Sequence, residues 1–242
     1  MSDPTSAERD ARPSMGFLRR FVGIFVSPRR VFADIDSGSS WWEPWVWGSL
    51  IYMIVAYLSL PVQVRLFELT RDQMSPEEFE RSLAWAQAPL AKALAIGAWS
   101  VGVLFEGVLF ATVSYIAVSA LSERSSFRKH LAICLWSSIA ASVGVLLSNI
   151  VIRLKGIEEI RGVRDAMAPF GPAVLLPDSG GKMWYALLST LDIFSIWFYA
   201  LMAVGVMQVF GMSRRASILV VIPVWLVSIL IALIGVRFAG TP

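Results

Sequence analysis

Residues 184–210 read WYALLSTLDIFSIWFYALMAVGVMQVF. The run is long enough to cross a bilayer, which takes about 20 mostly apolar residues at a rise of 1.5 Å each. It carries one charged side chain, Asp192, and no lysine, arginine or histidine to neutralise it. The fold turns on whether this run is one span among several. The function turns on why such a span should hold a carboxylate.

Four further runs qualify as spans: Pro44–Val64, Leu94–Leu121, Leu131–Ile152 and Ala216–Val236. Of the 242 residues, 56% are apolar and only 16% charged, against about 25% charged in soluble domains. The apolar residues also fall in blocks too long for a small water-soluble core. The sequence therefore specifies an all-α polytopic membrane protein, a bundle of five transmembrane helices over residues 44–236. Pro61 closes the first span, while Pro223 lies inside the fifth, where a membrane helix tolerates a kink. Trp41, Trp42, Trp45, Trp47, Trp99, Trp136 and Trp184 gather near span ends, where amphipathic rings favour the headgroup level.

Charge in the short loops sets the expected orientation. SERSSFRKH (122–130) carries Arg124, Arg128 and Lys129, GMSRR (211–215) carries Arg214 and Arg215, and Arg19, Arg20, Arg29 and Arg30 precede the first span. The positive-inside rule places all three regions in the cytoplasm. Loops 65–93 and 153–183 mix both signs and are expected outside, with an external tail at 237–242. The net charge of +3 is then a topology signal; no basic patch interleaved with aromatics points to nucleic acid. The preference for arginine over lysine points to a GC-rich bacterium, hence a bacterial plasma (inner) membrane.

Residues 1–14 are polar, mixed in charge and expected to form a disordered cytoplasmic tail rather than a cleavable signal peptide. Residues 15–43 read as amphipathic interfacial helices. Phe17, Phe21, Ile24 and Phe25 share one helical face, with Arg19, Arg20 and Gly23 on the other. Ser27 then caps a second short helix with Pro28 at its first position. Such a pattern suits a helix in the headgroup plane, aromatics toward lipid and arginines toward anionic headgroups. It equally suits a cover over the cytoplasmic end of the bundle.

In the outer loops, SPEE (75–78) is a capping box, with Ser75 accepting from the third helical amide and Glu78 reaching back. Phe79, Leu83, Ala86 and Leu90 follow on one face. GIEEIRGVRDAM (156–167) reads as a short helix, followed by Pro169, Pro172, Pro177 and a flexible DSGGK. Catalytic parts are almost absent. One histidine, His130, reads as interfacial, and one cysteine, Cys134, as a packing residue. Together they make neither a metal site nor a disulfide. Gly97, Gly102 and Gly107 allow close helix approach. No catalytic residue, cofactor or metal is expected, and the chain does not read as an enzyme.

The polar residues inside spans remain: Asp192, Glu106 and, near an outer end, Asn149. A carboxylate at mid-helix costs roughly 2.5–3.5 kcal/mol on insertion scales, so each acid should face the bundle interior. The plain expectation is a neutral carboxyl bonded to a neighbouring helix: Asp192 to Asn149 as an interhelical lock, or to Ser189 one turn away. Proton or cation handling, or partner binding within the membrane, is the alternative.

Three stretches, IFVSPRRVFADID (24–36), SFRKHLAICLWSS (126–138) and LDIFSIWFYALMAVG (191–205), resemble the bacterial branch of the Yip family, five-span relatives of the Ypt/Rab-interacting proteins. The most specific parts are Ser27-Pro28-Arg29 and the Asp-x-Phe-Ser-x-Trp pattern that contributes Phe194, Ser195 and Trp197. The resemblance implies a five-helix bundle with a cytoplasmic N-terminus. Eukaryotic members bind small GTPases, but their N-terminal acidic-aromatic motif is missing here, and some bacterial members resemble accessory subunits of transport complexes. The favoured expectation is thus a non-enzymatic adaptor that contacts membrane lipids and another membrane protein, an exporter subunit among the options, or itself. The alternative is a small transporter or lipid-handling protein that uses the intramembrane carboxylates.

Overall fold

The structure, a computed structural model, describes residues 15–36, 41–69, 71, 74–122, 125–162, 165–166, 170–177 and 181–238, without the side chains of 236–238. The expected disordered tail at 1–14, most of the DSGGK stretch and the end of the 237–242 tail lie outside the described residues. In chain order the helices are α1 (Phe17–Val26), α2 (Pro28–Asp36), α3 (Trp42–Leu69), α4 (Pro76–Gln87), α5 (Pro89–Ser119), α6 (Phe127–Lys155), α7 (Lys182–Ser189), α8 (Ile193–Phe210) and α9 (Arg214–Phe238). Five of them, α3, α5, α6, α8 and α9, are long and apolar enough to cross a membrane. Among the described residues there is no strand.

The central helix is α6. Of its apolar window, 61% is buried, against 33% or less in the other four spans. It packs against α3, α5 and α8, while α9 packs on α5 and α8 from the far side. Lipid is as apolar as the bundle, so these contacts rest on close packing rather than on the hydrophobic effect. Gly107 shows how close the packing is: a Cβ there would lie 2.6 Å from Leu135 Cδ2. Gly97 and Gly102 face open space instead, so only one of the three glycines anticipated as a close approach is one.

Several element boundaries differ from the sequence expectation. The first span does not close at Pro61; α3 runs through it to Leu69. The fourth run is not one helix. It breaks at Thr190–Asp192 into α7 and α8, because Asp192 offers its carboxylate to the backbone there. Among its described residues, the 156–167 stretch holds a 3-10 turn at Ile157–Glu159 where a short helix was expected. The capping box at Ser75 is formed as expected, with the Glu78 amide donating to Ser75 Oγ at 3.3 Å and the Ser75 amide to Glu78 Oε2 at 3.1 Å.

The tryptophans also divide. Trp42, Trp99 and Trp184 are half exposed or more, as the headgroup expectation requires, but Trp136 is fully buried in the main core cluster with Phe32 and Ile133. His130, expected at the interface, is likewise fully buried. Its Nδ1 meets Ser114 Oγ at 2.9 Å, its Nε2 meets Ser125 Oγ at 3.2 Å, and its ring stacks on Phe210 at 4.3 Å. Ser114 of α5 and Ser125, just before α6, thus satisfy both ring nitrogens.

Candidate functional site

The helices α1 and α2 close one end of the bundle, hereafter the capped end, by packing on α3, α6 and α8. Pro28 opens α2, as expected, and the Ser27 carbonyl accepts from the amides of Arg30 and Val31 at 3.0 and 3.4 Å. Of the two expected orientations of α1, aromatics toward lipid or a cover over the bundle end, the structure fits the second. Phe17 stacks on Trp47 at 4.7 Å, Phe21 lies 4.3 Å from the same ring, and Phe25 packs on the core beside Ile24. Large rings fill the gap above the first span better than they would cover a membrane. Outward instead points a second stripe at the same spacing, Leu18, Val22 and Val26. Arg19 and Arg29 are exposed.

Arg20 does not reach headgroups. It is buried, with Nε 2.6 Å from Asp34 Oδ2 and Nη1 2.6 Å from Glu43 Oε2. Burial works against its charge, but the hydrogen bonds to Glu43 and Asp34 and the charges of both outweigh burial and hold its pKa above the ordinary value.

At the opposite, open end stands the feature that answers for Asp192. Its Oδ1 accepts from the amides of Phe194 (2.8 Å) and Ser195 (3.1 Å), and its Oδ2 accepts from the Ser195 hydroxyl. Asp192 is thus the N-cap of α8, satisfying amides that would otherwise lack partners. The expected lock to Asn149 is not made. Asn149 Nδ2 donates to Val145 O at 2.9 Å in its own helix, and Ser189 Oγ donates to Ala186 O at 2.8 Å. Position 171 must be glycine-sized, since a Cβ there would sit 2.7 Å from Asp192 Cα. The Asp-x-Phe-Ser-x-Trp pattern now has a physical meaning: Asp192 and Ser195 cap, Phe194 presses so tightly on Gly144 that a Cβ there would lie 2.5 Å from its ring, and Trp197 faces outward, 43% exposed.

Two cavities meet at this break. The larger, about 1140 Å³, is a cleft in the open-end half, between α3 and α5 on one side and α6 with Phe170, Ala173, Tyr185 and Asp192 on the other. Its walls are largely apolar, as at Val55, Leu60, Ile96 and Ile152, while Asn149 and Asp192 stand on one side and Lys92 on another. The smaller, about 220 Å³, lies deeper and shares Ala141, Ser189 and Ser195 with the cleft. All five spans line it, through Tyr52, Glu106, Ser142, Tyr199 and Ser228. Cys134, expected only as packing, is buried and also borders this chamber. The structure thus separates the three intramembrane polar candidates: Asp192 and Asn149 line the cleft, and Glu106 lines the chamber. The hydroxyls around Glu106 come from five helices, α3, α6, α7, α8 and α9, so no local sequence pattern could have joined them.

Among the described residues, no group of three histidines, cysteines or acids is placed to hold a metal.

Comparison with known proteins adds a family. The family model described as the Yip1 domain matches residues 22–236. The Bacillus subtilis (strain 168) membrane protein YknW is 23% identical over 203 residues, which cover 81% of this chain and 80% of that relative. No solved structure matches.

Proposed function

The chain belongs to the Yip1-domain family of multi-pass membrane proteins, and on that premise we propose that it is a non-enzymatic lipid-handling protein whose open-end cleft holds a phospholipid. The observation that carries this reading is the cleft. At about 1140 Å³ it sits just above the range for small-molecule sites, roughly 300–1,000 Å³. Its walls are apolar enough for acyl chains. Lys92 and Gln63 border both it and an adjoining polar pocket that reaches Arg65 and Glu68, so a phosphate would meet Lys92 where α5 begins. The arginines and lysine of the 122–130 and 211–215 loops support a cytoplasmic capped end, and the cleft then belongs to the outer leaflet.

The adaptor role favoured by the residues alone would use the same cleft, because a partner's membrane helix is the other apolar occupant that fits. The experiment separates them. Protein purified gently from membranes is analysed by native mass spectrometry for retained phospholipid. Ala95→Trp with Val145→Trp fills the cleft and should abolish retention in a protein that stays monodisperse; Lys92→Glu should weaken it. A photoreactive side chain at Tyr57 should capture lipid. Capture of polypeptide instead supports the adaptor, and undiminished lipid in the filled variant overturns the lipid reading.

A further inference from the structure

We propose that the chamber around Glu106 is a binding site for a small monovalent cation, an alkali ion, held at the middle of the membrane. This inference does not depend on what fills the cleft, although the two cavities adjoin.

Position comes first. Glu106, Ser142, Tyr199 and Ser228 each lie near the midpoint of their helices, α5, α6, α8 and α9. From the capped end that is about 11–15 residues, or on the order of 16–22 Å at 1.5 Å per residue. Glu106 borders the chamber but is itself exposed, against the expectation that each acid faces the bundle interior; a carboxylate at this depth is a functional candidate by default.

The protons decide the chemistry. Ser138 donates to Leu135 O at 2.9 Å and Ser142 to Ser138 O at 3.0 Å. Ser228 donates to Trp225 O at 2.7 Å, so in its 2.5 Å contact with Tyr199 the tyrosine is the donor. Tyr52 stands beside Ser142 on the chamber wall. Ser189 donates to Ala186 O and Thr190 to Leu187 O, both at 2.8 Å, and Ser195 donates to Asp192. Every hydroxyl that lines the chamber, Tyr52 apart, has therefore committed its proton to a named acceptor. What these groups present inward is lone pairs. Cys134 contributes only a weak S–H donor.

Among the described residues no hydrogen bond or ion pair meets the Glu106 carboxylate, and both tyrosine hydroxyls lie within its electrostatic reach. A chamber built of acceptors around one negative charge repels anions and attracts cations. The charge count selects a monovalent ion: calcium is held by several carboxylates, and magnesium demands a rigid octahedron and keeps its waters. Oxygen donors suit hard cations over transition metals. The volume, about 220 Å³, leaves room for an ion with part of its water shell.

The full-length protein is reconstituted in nanodiscs and its thermal unfolding followed at neutral pH and fixed ionic strength, with lithium, sodium or potassium chloride replacing N-methyl-D-glucamine chloride. A ligand that binds only the folded state raises Tm with its concentration. At least one alkali ion should therefore raise Tm, while the bulky glucamine salt should not. Glu106→Gln should lose that rise yet unfold in glucamine chloride no earlier than the wild type. Tyr199→Phe with Ser228→Ala keeps the carboxylate and should need more salt for the same rise, which covers the case that Glu106→Gln does not fold. The inference is overturned if all salts act alike, if Glu106→Gln keeps the alkali response, if the double variant responds as the wild type does, or if only pH moves the wild-type Tm, which would mark a protonated carboxyl and nothing more.

Discussion

Arg20 Nη1 stands 2.6 Å from Glu43 Oε2, and that contact ties α1 to the start of the first span. The same guanidinium holds Asp34 of α2, so one forked side chain joins three helices at the capped end. The side chains are 7%, 12% and 14% exposed for Arg20, Asp34 and Glu43. Removing the cation alone takes the guanidinium from two largely buried carboxylates, of which Asp34 keeps the Met15 amide at 3.1 Å. Arg20→Met should thus cost about 3–5 kcal/mol, read as early thermal unfolding and as protease cleavage within 15–36. Adding Asp34→Asn and Glu43→Gln removes both carboxylate charges and should restore most of the loss. Arg20→Lys should recover less than the triple variant, because one ammonium does not reproduce a fork.

Asp192 should behave as a cap and not as an interhelical lock. Asp192→Ala should lower stability by about 1 kcal/mol, the usual weight of an N-cap, whereas Asp192→Asn keeps an acceptor and should change it little. Ser195→Ala removes only the hydroxyl donor and should fall between the two. Thermal unfolding in detergent measures all three. If Asp192→Asn is as damaging as Asp192→Ala, the charge matters beyond the cap.

The capping box of α4 should open in acid. The Ser75 backbone amide, and next the Ser75 hydroxyl, bond the Glu78 carboxylate and hold its pKa below the ordinary 4.5. In the unfolded chain the carboxyl takes up its proton nearer 4.5, so the box stabilises fully above that value. Its contribution is lost as the pH falls through the lowered folded value. Amide exchange at residues 76–79 should accelerate on acidification in the wild type. In Glu78→Gln that part of the pH dependence should be absent.

The capped end should be cytoplasmic. In a Cys134→Ala background, Ser126→Cys should resist an impermeant thiol reagent in intact cells while Glu80→Cys is labelled, since Glu80 is exposed at the open end. The reverse pattern would invert the bundle and place the cleft in the cytoplasmic leaflet.

The sequence by itself determined the class of the molecule. Apolar runs long enough to cross a bilayer and sparse charge leave a helical bundle as the only economical fold, because backbone groups in lipid must bond within their own helix. Ser75 and Glu78 could be read too, since a capping box is local. Where the reading failed, the deciding contact came from elsewhere in the chain. Arg20 looked like a headgroup residue until α2 and α3 brought Asp34 and Glu43 to it. Phe17 and Leu18 begin equally apolar stripes on α1, and only the position of Trp47 selects which one faces in. Asp192 looked embedded because hydropathy averages over a window and cannot see that a carboxylate has turned back onto its own helix. The chamber at Glu106 lay furthest from view: five separate spans supply its walls, and only their packing sets those oxygens around one carboxylate.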